Sequence, residues 1–123
     1  MLEIRVEPRG HVTVVVIQGS VDGLTADSLL GALQKEVAGG RTRLVADLSG
    51  VEYTSSAGLR ALLATVKDAR RHGGDLRLAA VTVNVRKVLD LSGFTSILKL
   101  YDEVDAAVGS FGAADRAAGE EAI

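Results

Sequence analysis

The chain has 123 residues, 47% of them apolar and 24% charged, the size and balance of one globular domain able to bury a core. A formal net charge of −2, with the cations spread along the chain, provides no basic stripe for nucleic-acid phosphates. The absence of cysteine excludes disulfides, thiolate metal sites and a Cys nucleophile.

The opening Met1-Leu2-Glu3-Ile4-Arg5 lacks the basic-then-apolar pattern of a signal peptide, and no apolar run approaches the roughly 20 residues that span a bilayer. The expectation is a cytoplasmic protein with no membrane insertion.

Ile4 to Glu7 alternates apolar and charged, as a half-exposed strand does, and Pro8-Arg9-Gly10-His11 reads as a turn. Val12 to Ile17 is almost continuously β-branched, which suits a strand covered on both faces and paired with the first as a hairpin. After Gly19-Ser20-Val21-Asp22-Gly23 the period becomes helical, with Leu29, Leu30, Leu33 and Val37 on one face, Thr25 as a cap and Gly39-Gly40 as the stop.

Leu44 to Leu48 is a second buried-strand candidate. A polar loop leads from it to a helix with Leu59, Leu62, Leu63 and Val66 on one face and Lys67, Arg70 and Arg71 on the other, ended by Gly73-Gly74. Leu76 to Val81 reads as a strand; Val85, Val88 and Leu89 mark a short helix ended by Gly93. Ile97 to Leu100 suits a last short strand, and Asp102 a cap for a helix through about Val108. From Gly109 onward the composition turns to Ala and Gly, which predicts a frayed helix or disordered tail over 109–123 behind a domain of residues 1–108. The order predicts an α/β fold: a mixed, mostly parallel sheet of about five strands with an N-terminal antiparallel hairpin, packed by about four helices.

Such sheets place functional loops beyond the carboxyl ends of their strands, here Gly19 to Thr25 and Ser49 to Gly58. The second joins a strand end, Asp47-Leu48-Ser49-Gly50, to Ser55-Ser56-Ala57-Gly58-Leu59-Arg60 at the start of a helix. A hydroxyl there accepts from backbone N–H groups that lack a helical partner, so Ser55 or Ser56 serves as a cap. The same N-terminus stabilises negative charge, so a phosphoryl group is tolerated, and Ala57 and Gly58 leave room for a partner to approach. Asp22 and Asp47 also have structural readings, as the cap of the first helix and the closure of a strand-end turn.

The segment from Asp47 to Arg60 resembles the signature of STAS domains, typified by bacterial anti-sigma factor antagonists. Gly19-Ser20-Val21-Asp22 is similar to the family's Gly-Glu-Leu-Asp, and Val88-Leu89-Asp90-Leu91-Ser92-Gly93-Phe94 to its late helix and glycine turn. The three segments, in order, extend the resemblance over about residues 2–108. The family's phosphorylation site commonly reads Asp-Ser-Ser-Gly-Leu or Asp-Ser-Thr-Gly-Leu, and Ser56-Ala57-Gly58-Leu59 matches its Ser-x-Gly-Leu part. Here Ser55 replaces the aspartate, and Thr54 stands where a larger apolar residue is usual.

The resemblance implies phosphorylation of Ser56 and a partner-binding surface of Asp22, Asp47, Thr54, Ser55, Ser56, Ala57, Gly58 and Arg60. The implied partners are an anti-sigma factor that is a serine kinase of the histidine-kinase-like ATPase fold, and a serine phosphatase. The nucleotide belongs to the kinase, so no cofactor is expected. The alternative within the fold is a scaffold of a stress-signalling assembly or an accessory subunit of a lipid ABC transporter, with Ser56 an unmodified interface residue. A dimer through the free edge of the first strand stays open.

A hydrolase would need a base beside its nucleophile, yet the two histidines, His11 and His72, fall in a turn and at a helix end. No Gly-x-Ser-x-Gly elbow, phosphate-binding Gly-Lys loop, Gly-x-Gly-x-x-Gly turn or His-Glu-x-x-His pair occurs. Catalysis by this chain is not expected.

Overall fold

A computed structural model describes residues 2–121, with side chains from 2 to 112; Met1 and, at the end of the expected tail, residues 122 and 123 lie outside the described residues. The elements are β1 (Leu2–Arg9), β2 (Val12–Gly19), α1 (Ala26–Ala38), β3 (Arg43–Gly50), α2 (Ser56–Arg71), β4 (Asp75–Ala79), α3 (Val83–Leu91), a 3₁₀ turn (Phe94–Ser96), β5 (Lys99–Tyr101) and α4 (Val104–Glu121). The strands form one sheet in sequence order, with β1 antiparallel to β2 and all later pairs parallel. This is the expected mixed sheet with four helices.

Alternation along β2 explains its continuous apolar run. Val15 and Ile17 face the core built with Leu29, Leu33 and Val37 of α1, Leu59, Leu62 and Val66 of α2, and Val85 and Leu89 of α3. Val12, Val14 and Val16 face the opposite side, where Ala107 and Phe111 of α4 cover them together with Val45. Three helices therefore pack on one face and α4 on the other. Each fully buried Leu or Val contributes roughly 1.5–3 kcal/mol of transfer free energy, so both faces matter to stability.

Pro8 and Arg9, read as part of a turn, instead extend β1 opposite Thr13 and Val12, because the reversal needs only Gly10 and His11. Three further boundaries differ from the sequence reading, each for a local reason. β4 stops at Ala79, because Ala80 turns into the left-handed region at φ 56 and leaves the extended conformation. The last strand begins at Lys99, since Ile97 closes the 3₁₀ turn by giving its N–H to the Phe94 carbonyl at 3.0 Å. α4 starts at Val104, so Glu103 and not Asp102 precedes it, and it continues beyond Val108. Phe111 is buried there, with the Arg77 guanidinium 3.9 Å from its ring centroid and Arg77 Nη1 donating to Ser110 Oγ at 2.8 Å. The helix breaks at Gly112, whose φ of 71 and ψ of 172 are not helical.

Candidate functional site

The site lies off the carboxyl ends of β2 and β3, where the loops before α1 and α2 meet. Val21 and Thr54 form an isolated parallel bridge between them. Val21 gives its N–H to the Tyr53 carbonyl at 3.0 Å, and Ser55 gives its N–H to the Val21 carbonyl at 2.7 Å. Asp22 is thus tied by its neighbour to the start of α2.

Gly58 makes this approach possible. A Cβ there would overlap the Thr54 hydroxyl and the Val21 side chain, so only glycine lets the first turn of α2 sit against the bridge. Thr54 and Gly58 are both buried. In this structure their part is to position the loop.

The two serines divide the roles that the sequence left open. Ser55 is the N-cap, extended at φ −81 and ψ 170, and its Oγ accepts from the Gly58 N–H at 3.2 Å. Ser56 is the first helical residue and is exposed, and its hydroxyl has no hydrogen bond among the described residues. One hydroxyl is consumed by the helix; the adjacent one is free for chemistry at a positive helix end.

Asp22 Oδ1 accepts from the backbone N–H groups of Leu24 and Thr25, each at 2.9 Å, and from the Thr25 hydroxyl at 3.1 Å. Thr25 occupies the cap position of α1 without a capping bond of its own; its hydroxyl donates back to the loop. The bonds from the Thr25 and Leu24 N–H groups hold the Asp22 carboxyl below the usual aspartate value. Asp22 therefore shapes its loop as an ion.

Asp47 lies elsewhere. It alternates with Ala46 and Leu48, which face α1 and α2, and so belongs to the face of Val45 and α4. Its Oδ1 accepts from the Ser49 N–H at 3.0 Å, which closes the strand end. Of the expected surface, Asp22, Ser55, Ser56, Ala57 and Arg60 come together with at least partial exposure, and Asp47 does not join them.

Several neighbours escaped the sequence reading. Leu24 is 90% exposed, Val83 72% and Tyr53 53%, all on loops or helix starts at this rim. Thr82, which caps α3, donates its hydroxyl to the Val51 carbonyl at 3.0 Å and so brings Val83 to the same rim. Beside Ser56 a groove of about 300 Å³ runs between α1 and α2, floored by Ala26, Ala57 and Ala61 and flanked by Asp27 and Arg60. Runs of small residues at helical spacing were the available signal for the groove. Isolated apolar residues such as Leu24 carry no such pattern.

Neither histidine can serve Ser56. His72 ends the 16-residue helix that Ser56 begins, so they stand about 24 Å apart along its axis. His11 lies in the turn at the other end of β2, some 25 Å from its carboxyl end by strand rise. Among the described residues no cluster of three His, Cys, Asp or Glu is placed to hold a metal ion, and no helix is long and apolar enough to cross a membrane.

Residues 3–107 match the STAS domain family. This chain belongs to it. A Bordetella bronchiseptica protein, BtrV, named as a candidate anti-sigma factor antagonist, is 37% identical over 80% of this chain and 84% of its own. The anti-sigma-F factor antagonist RsfB of Mycobacterium tuberculosis is 32% identical over 88% of each chain. The crystal structure of an anti-sigma factor antagonist from Mycobacterium paratuberculosis superposes with a TM-score of 0.82 at 32% identity, covering 89% of this STAS domain chain and 93% of that one.

Proposed function

We propose that this STAS protein is a cytoplasmic anti-sigma factor antagonist, without catalytic activity of its own, whose docking is switched by phosphorylation of Ser56. The observation that carries the reading is the division of labour between the serines: Ser55 caps α2, while Ser56 presents an exposed, uncommitted hydroxyl at its N-terminus. The names of the relatives support the choice of partner.

In the unmodified state the anti-sigma factor covers Ser56, the groove between α1 and α2 and the exposed Leu24 and Tyr53. The same partner acts as a serine kinase of the histidine-kinase-like ATPase fold. Ser56 Oγ attacks the γ-phosphorus of ATP held by the kinase, the hydroxyl proton passes to a base of the kinase, and ADP leaves. The product carries about −1.5 to −2 charges at this position. Its N-terminal placement on α2 stabilises it by roughly 0.3–1 kcal/mol, so the fold persists. In the complex that charge must be desolvated beside the loop of the ionised Asp22, so docking weakens and the partner leaves. A serine phosphatase restores the hydroxyl.

The test is a pull-down from native cytosol with wild type, Ser56→Ala and Ser56→Asp, followed by phosphosite mapping with ATP on the recovered kinase. Capture by the first two, loss by the third and phosphate on Ser56 alone are expected. Equal capture of transporter components by all three, with Ser56 unmodified, would overturn the switch in favour of an accessory subunit.

A further inference from the structure

β1 is the first strand of the sheet, so one of its edges is unpaired along all eight residues, whereas the other edge strand, β5, has three. A long free edge presents unpaired N–H and C=O groups to any extended chain. The side chains along it follow a strict pattern. Glu3, Arg5, Glu7 and Arg9 alternate in sign on one face, while Leu2, Ile4, Val6 and Pro8 occupy the other.

We infer that β1 is a homodimerisation edge, pairing antiparallel with β1 of a second copy so that the two sheets become one of ten strands, twice the five of the single chain. With the two-fold axis perpendicular to the sheet, residues of like parity stand opposite, and four registers keep at least five of the eight residues paired. The axis through Glu7 sets Glu7 against Glu7 and Arg5 against Arg9, which is repulsive. An axis through Arg5 sets Arg5 against Arg5 and Glu3 against Glu7, which is repulsive throughout. An axis through Ile4 pairs Glu3 with Arg5 and leaves Glu7 and Arg9 without opposites.

An axis through Val6 sets only unlike charges opposite. Arg5 opposes Glu7 in both directions, and Glu3 opposes Arg9, which within its own chain already pairs with Asp105 of α4 at 2.7 Å, so the Arg5–Glu7 contacts carry the register. It also sets Val6, 42% exposed in the single chain, against its own copy. Arg5 Nε already meets Glu7 Oε2 of its own strand at 2.9 Å, with both side chains well exposed. Pairing therefore completes a square of alternating charges. Pro8 adds no donor, so the ladder is short and the association is weak and reversible. The Ser56 loop lies beyond β3, with β2 between, so the dimer carries two separate docking sites.

The test is velocity sedimentation of the full chain from about 10 µM to about 1 mM at low salt. Wild type is expected to shift reversibly from monomer to dimer. Arg5→Glu gives Glu against Glu, and Glu7→Arg gives Arg against Arg; each alone should weaken dimerisation roughly tenfold by replacing two attractive cross-strand contacts with repulsive ones. An equimolar mixture of the two variants restores opposite charges at both positions and should recover the dimer. Circular dichroism melts of both variants verify that the monomer still folds. Amide exchange should show β1 more protected at high concentration in wild type alone. A wild type that stays monomeric throughout, or a mixture that behaves like its separate components, would overturn the inference. If Arg5→Glu weakens the dimer and Glu7→Arg does not, the axis lies at Ile4 and the Val6 register is wrong.

Discussion

The two ends of the sheet use polar residues in opposite ways. At the amino end, Asp75 is buried and accepts from Arg70 Nε at 2.9 Å, Arg77 Nε at 3.1 Å and the Leu76 N–H at 3.0 Å, with Lys99 Nζ 4.0 Å away. Every oxygen of that carboxylate is used inward. At the carboxyl end, Asp22 and Ser55 serve the backbone of exposed loops, and next to them Ser56 has an unclaimed hydroxyl. Saturated polar groups hold the fold; the proposed switch sits where neighbours have met the local needs and one group is left over.

Asp75→Ala tests the first half of this contrast and should have the largest effect. Removing the buried carboxylate leaves Arg77, 12% exposed, without its ion pair and costs about 3 kcal/mol, read as a drop in the denaturation midpoint, while binding through Ser56 stays normal below the melt. Gly58→Ala should follow at roughly 1–3 kcal/mol from overpacking against Val21 and Thr54. It alone should damage stability and partner binding together, because it pries α2 from the bridge. The serines should then separate: Ser55→Ala costs about 1 kcal/mol as a lost cap, whereas Ser56→Ala stays within about 0.5 kcal/mol yet abolishes phosphorylation.

The smallest effect concerns acid. Because the folded Asp22 carboxyl titrates below its ordinary value of 3.8, its contribution is fully present above that value and fades as pH falls through the folded pKa. Carboxyl resonances followed by NMR should place its midpoint below 3.8, and in Thr25→Pro, which removes both the N–H and the hydroxyl that donate to Oδ1, nearer to it.

The strands and helices were legible in the sequence wherever burial imposes a period. Val12 to Ile17 announced cover on both faces, and α1 and α2 showed their apolar stripes. The end of the domain was not, because one aromatic in an Ala/Gly stretch makes no pattern. Phe111 packs through Arg77, 34 positions earlier, and composition does not encode such pairing. At the site, the resemblance singled out the loop before α2, but which serine caps depended on a one-residue difference in helix start. Asp47 looked equivalent to Asp22 until strand alternation turned it to the other face.

The bridge between Val21 and Thr54 has a further consequence for the rate and strength of association. Loops that must be ordered on contact lose entropy when a partner arrives, and slow searching lowers the association rate. Here the two loops share a pair of backbone hydrogen bonds before any partner is present. The ordering cost is met during folding, so in the proposed switch the exchange of partners is set by how fast each complex comes apart, the step on which a phosphate at Ser56 would act.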